Sequence, residues 1–282
     1  MRNMISKIAQ VATAPKKAPQ RSLNLLLATF AAVYNLLVDW LSEKPLHTYS
    51  GVPEYDEVLA RSRTRTDISD HLPTLFLETL EVRPSLIVEL GVRGGESTFV
   101  LERVAALCGS KLVSVDLEDC SRASQYCNWS FVKSDDVAFA DIFGDWCQAR
   151  GINPSIDILF IDTSHELEYT IKEIDHWGPF LAPRSKVFFH DTNMRRLYLR
   201  KDGSIGVGWQ NHRGVVAALE RYLRCKLDER RDFSMVCGGW IVKHYANCSG
   251  LTILDRWIEN PARVKHSNPT DMTPLLASLN CR

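Results

Sequence analysis

Four apolar runs, each carrying an acid at or beside its end, constrain this chain more than any other feature. They are "SLIVEL" (85–90), "KLVSVD" (111–116), "IDILFID" (156–162) and "SKVFFHD" (185–191). Each is short, continuous and β-branched enough to be a strand buried on both faces. Between them lie segments with apolar residues at helical spacing: "ESTFVLERVAALCG" (96–109), which stops at Gly109, and "HELEYTIKEIDHWGPFL" (165–181), which has Thr163 and Glu166 in capping-box spacing just before it. "HLPTLFLETLEVRP" (71–84) predicts a helix ahead of the first strand. "WSFVKSD" (129–135) predicts a weaker strand, "GVVAALERYL" (214–223) a helix, and "FSMVCGGWIVK" (233–243) one or two closing strands. Strands alternating with helices imply an α/β fold: a Rossmann-like, doubly wound, mostly parallel seven-stranded sheet with an N-terminal helical extension. The expected division is 1–70 for the extension and linker, 71–248 for the main domain, and 249–282 for a C-terminal helix and tail.

The 34 Lys and Arg balance the 34 Asp and Glu, so the formal net charge is zero. A general nucleic-acid binder needs a basic excess, and that class is disfavoured. None of the eight cysteines forms a CxxC pair, which points away from a zinc knuckle and toward a reducing, cytoplasmic compartment without a disulfide framework.

Residues 1–38 contain no acid but carry Arg2, Lys7, Lys16, Lys17 and Arg21. Leu23, Leu26, Leu27, Phe30, Tyr34, Leu37 and Leu41 then recur at helical spacing. Three readings fit: a helix packed on the domain or on a second subunit in a homo-oligomer, a helix over 23–41 lying on an anionic membrane surface, or a cleaved leader.

The turn "VELGVRGGEST" (88–98) places Gly91, Gly94 and Gly95 directly after the first strand. In parallel sheets ligands bind beyond the carboxyl ends of the strands, and glycine lets backbone approach them closely. The spacing is E-x-G-x-x-x-G, not the G-x-G-x-x-G that cradles a pyrophosphate. A nicotinamide-dependent oxidoreductase is therefore disfavoured. Glu89 beside the turn suits a ligand with an amino group, and Asp116, 27 residues on at the end of the next strand, suits the hydroxyls of a ribose.

These features resemble the first two motifs of class I S-adenosylmethionine-dependent methyltransferases. The resemblance implies that Glu89, Gly91, Gly95, Ser97 and Asp116 hold S-adenosylmethionine, with Ser134 and Asp135 at its adenine edge.

Asp162 and Asp191 end two adjacent predicted strands, 29 residues apart. Two neighbouring carboxylates repel unless a cation or proton intervenes, and a hard divalent cation such as Mg²⁺ is one solution. The string Phe160-Ile161-Asp162, His165, Trp177, Pro179, Leu181 and Phe189-His190-Asp191-Thr192 resembles the cephalosporin hydroxylase-like and macrocin O-methyltransferase-like methyltransferases over roughly residues 72–245. It implies Asp162 and Asp191 as metal ligands. His190 stands where those relatives carry an acid, and histidine suits borderline metals better than Mg²⁺, so metal use is open at this point. His165 is the expected general base, with Asp162 and His190 beside it as catalytic residues; His190 is the alternative base or a third metal ligand. His212 and Trp209 are candidate acceptor-pocket residues.

The reading that follows is an O-methyltransferase acting on a hydroxyl of a sugar or secondary metabolite. The alternative is a non-catalytic accessory subunit that binds the cofactor and supports a partner enzyme.

Overall fold

The computed structural model describes residues 18–41, 47–195, 197–199, 204–207 and 213–256. Helix α1 (Ala18–Leu41) and helix α2 (Pro53–Ser62) lead into α3 (Leu72–Val82) and strand β1 (Leu86–Leu90). Helix α4 (Glu96–Cys108), β2 (Lys111–Asp116) and β3 (Trp129–Lys133) follow, then the short α5 (Asp136–Ala140) and α6 (Phe143–Gln148). Next come β4 (Ile156–Ile161), α7 (Leu167–Trp177) and β5 (Leu181–His190), and a small hairpin of β6 (Leu197–Leu199) and β7 (Ile205–Val207). Helix α8 (Gly214–Leu223) precedes β8 (Phe233–Cys237), β9 (Trp240–Tyr245) and β10 (Leu251–Arg256).

The main sheet runs β3-β2-β1-β4-β5-β10-β9-β8. β1 to β5 are mutually parallel, whereas β10 is antiparallel to both β5 and β9, and β8 is antiparallel to β9. The expected seven strands are thus eight. "FSMVCGGWIVK", expected as one or two strands, makes two joined in a tight hairpin, whose Gly238 and Gly239 both take positive φ (59° and 81°). Residues 251–256 supply the extra strand. Expected as part of an appended helix, they form β10 and fill the middle of the sheet; residues 257–282 lie outside the described residues.

Alternation along the strands explains why the runs are apolar throughout. Leu159 and Ile161 of β4 face one layer, with Phe139, Phe143, Trp177 and Leu219. Ile158 and Phe160 face the other, with Phe76, Leu101 and Val104. From β1 the chain builds outward to β3, then returns to β4 on the opposite side of β1. That reversal is the crevice where such sheets take their ligands, and its walls are the ends of β1 and β4.

The capping box before α7 does not form. The helix starts at Leu167, Glu166 is its N-cap without a side-chain bond, and the Thr163 hydroxyl instead donates to Glu173.

Candidate active site

Gly91 (φ 86°) ends β1, and its amide donates to the Val115 carbonyl at 2.9 Å. A Cβ built there would lie 2.0 Å from the carbonyl oxygen of Asp162. Only glycine fits, and the two strand ends touch through their backbones. Gly95 (φ 78°) is the N-cap of α4, and Gly94 faces open space. Asp116 secures this turn: its Oδ2 accepts from the amides of Val92 (2.7 Å) and Arg93 (3.0 Å), and its Oδ1 from Glu118 (2.8 Å). Burial opposes the carboxylate's charge, but these amides outweigh it and hold the group below its ordinary pKa. These amides hold the carboxylate at the mouth of the glycine turn.

Glu89 is held by hydroxyl groups. Its side chain is fully buried beneath the first turn of α4. Oε1 accepts from Ser97 (2.6 Å) and both oxygens from Thr98 (3.0 and 2.9 Å), while Oε2 accepts from Ser114 (2.6 Å). Burial raises its pKa to about 7 against these hydroxyls. Glu89 and Ser97, both expected on the cofactor, therefore bond to each other and set the pitch of α4 on β1.

The Ser134 amide donates to the Asp116 carbonyl at 3.0 Å, so this turn does sit against the glycine turn's anchor. Asp135 caps α5, accepting from the Ala138 amide at 2.9 Å. Its other oxygen lies 2.9 Å from the Tyr169 hydroxyl, which is also 2.5 Å from Asp136. Sequence reasoning missed Tyr169, Asp136 and Glu173. Glu173 is fully buried, and burial and then the Asp136 charge hold its pKa well above the carboxylate range. Amphipathic spacing gave no signal for this acid, which reads as part of a polar helix face.

Asp162, His165 and Asp191 converge. One donor atom from each lies within 4.8 Å of the others, and His165 Nε2 is 3.2 Å from Asp191 Oδ2. His165 (φ 59°) and Asp191 (φ 56°) both take left-handed backbone, which turns the chain back over the strand ends. Asp162 Oδ1 is buried and makes no hydrogen bond. His190 takes a different place from the one expected. Its side chain is wholly buried, with Nδ1 3.3 Å from Asp162 Oδ1 and 3.6 Å from Asp191 Oδ2. Burial disfavours its charge, but Asp191 and then Asp162 overcome that and hold its pKa well above the usual histidine value. His190 lies behind the acids, and His165 completes the donor set with them. His71 lies edge-on to His190 at 6.0 Å. Its Nε2 is 2.9 Å from the Asn247 carbonyl, and burial lowers its pKa to about 3, helped by the His190 charge. His212 and Trp209 lie outside the described residues.

Two carboxylates and an imidazole whose donor atoms lie within 4.8 Å of one another form a donor set that fits a divalent cation, and the imidazole extends the choice to borderline metals. Residues 88–192, which contain both the glycine turn and the convergent acids, match the family model of a methyltransferase domain. Over that stretch the chain carries a methyltransferase domain. It is similar to a solved putative O-methyltransferase from Klebsiella pneumoniae at 16% identity and TM-score 0.45, covering 83% of this chain and 100% of that one. It is similar also to the MycE methyltransferase of the mycinamycin biosynthetic pathway, solved with Mg, SAH and mycinamycin VI, at 17% identity and TM-score 0.49, covering 75% of this chain and 57% of that one. An O-methyltransferase from Bacillus cereus in complex with SAH aligns at 14% identity and TM-score 0.41, covering 86% and 93%. A comparison with curated proteins gives no match.

Proposed function

We propose that this methyltransferase acts on a hydroxyl oxygen of a small acceptor, a sugar or secondary metabolite, held over Asp162, His165 and Asp191. The observation that carries this reading is the convergence of those three donors at a strand end that touches the glycine turn. In the reaction the acceptor oxygen attacks the methyl carbon, the carbon–sulfur bond breaks, S-adenosylhomocysteine leaves, and the hydroxyl proton is lost. Bringing the two reactants into line supplies much of the acceleration.

The donor lies along Gly91 to Gly95, with Asp116 on a ribose hydroxyl. Asp162, His165 and Asp191 would hold a divalent cation, which lowers the pKa of an acceptor hydroxyl. His165 is a ligand in this arrangement rather than the free base expected, because its Nε2 is directed at Asp191. Its side chain is 18% exposed and that of His190 0%, so only His165 can meet a molecule in the crevice. His190 balances the charge of the paired acids from behind. No observation favours the accessory-subunit reading.

Calorimetry with S-adenosylhomocysteine, followed by Mn²⁺ titration of the same sample, tests this. Cofactor binding together with Mn²⁺ binding that is lost in Asp162→Asn is the expected result. Cofactor binding with no Mn²⁺ affinity would remove the cation and leave the donor half standing.

A further inference from the structure

Helix α1 is apolar on the wrong side. Asn24 and Ala31 face the domain, 2% and 5% exposed, whereas Leu26, Phe30, Val33 and Leu37 are 69%, 59%, 51% and 53% exposed. With Leu23 and Leu36, both 49% exposed, they spread over about half of the helix circumference at 3.6 residues per turn. No residue from 22 to 38 is charged. The face is held in this orientation from behind. The Asn35 side chain donates to the Leu197 carbonyl at 2.9 Å and accepts from the Leu197 amide at 2.8 Å, pairing with the edge strand β6 as another strand would. An uncharged apolar surface of this extent marks an interaction site.

The charge that precedes it in sequence selects the occupant. Residues 1–38 carry five cations and no acid, which complements anionic headgroups. The apolar arc is wider than the a/d seam of a paired helix, and it lacks the flanking charges that set a partner helix in register. Among the described residues no helix is long and apolar enough to cross a membrane, and the Asn35 clamp ties α1 to β6. We propose that α1 seats the protein in the plane of an anionic phospholipid bilayer, with Leu26, Phe30, Val33 and Leu37 in the boundary between headgroups and acyl chains. This is independent of the methyl acceptor's identity.

The test is flotation of the full chain with vesicles of phosphatidylcholine alone or mixed with phosphatidylglycerol, with light scattering of the protein alone. Binding to the anionic vesicles is expected to exceed that to the neutral ones by at least about tenfold, since each basic residue near such a surface adds favourably. High salt should weaken it. Leu26→Glu/Phe30→Glu should abolish it while leaving S-adenosylhomocysteine binding intact, because both side chains are exposed. Lys16→Glu/Lys17→Glu should reduce it independently should the first variant fail to fold. Equal binding to neutral vesicles, or wild-type binding by the variants, overturns the proposal. So does absence of vesicle binding, whether the chain is a monomer or a dimer that Leu26→Glu/Phe30→Glu splits; in the latter case the face joins two copies.

Discussion

Replacing Glu89 by Gln isolates the energetic consequence of burying a carboxyl group under α4. In the folded chain the group's pKa is about 7, against an ordinary 4.5. A folded pKa above the unfolded one means that the folded chain holds the proton more tightly. The stabilisation is therefore complete below pH 4.5, is lost as the pH rises toward about 7, and is gone above it. A difference of about 2.5 in pKa, at ~1.36 kcal/mol each, makes roughly 3 kcal/mol. No discount for solvent applies, because the side chain is fully buried. Glutamine has the same shape, and its amide can accept from and donate to the hydroxyls of Ser97, Thr98 and Ser114, which rotate freely, but it does not titrate. Urea unfolding of both proteins across this pH range gives the difference in stability, wild type minus Glu89→Gln. That difference should fall by roughly 3 kcal/mol between pH 4.5 and a pH above 7. Two parallel curves would refute the argument, by showing that the four hydroxyl bonds fully offset the cost of burying the charge.

Other expectations follow from single contacts. Gly91→Ala combines a φ of 86° with a Cβ 2.0 Å from the Asp162 carbonyl, and should cost about 3 kcal/mol or more in unfolding free energy, with weakened binding of S-adenosylhomocysteine measured alongside. Asp116→Asn replaces an anion on three amides and should weaken cofactor binding about 10- to 100-fold by calorimetry, since bonds to a charged acceptor contribute ~1.5–3 kcal/mol. His165→Ala should lower Mn²⁺ affinity at least about tenfold, as loss of a ligand does more than the 10- to 100-fold seen for outer partners. Lys186, 1% exposed, bridges Glu78 and Glu81; Lys186→Met should destabilise by about 3–5 kcal/mol in chemical unfolding, partly restored in the double variant Lys186→Met/Glu78→Leu.

What could be read from the chain was what period and position dictate. β1, β2, β4 and β5 are legible because strands covered on both faces must be apolar throughout, and an acid at the end of such a run has nowhere to go but the sheet's edge. Asp116, Asp162 and Asp191 were found that way. The exchange of His165 and His190 was not legible: it depends on left-handed backbone at residues 165 and 191, which reverses the direction each side chain takes and which neither residue type announces. Glu89 failed for a related reason. It lies within β1, not beyond it, so its side chain obeys the strand's alternation and points under α4, where it meets Ser97, Thr98 and Ser114. Residues 251–256 were read with the tail because position near the end outweighed their own pattern, although "LTILDR" is as apolar as the strands that were found. The eighth strand and the Asn35 clamp depend on pairing between segments far apart in sequence, which local periodicity does not encode.

The backbone contact between residues 91 and 162 has a mechanical meaning. Where the glycine turn rests on the end of β4 with no side chain between them, neither of the two seats proposed above can be widened, tilted or shifted on its own. Any change that lifts one strand end displaces the other, so new acceptors have to be accommodated in the surrounding loops while this joint stays as it is.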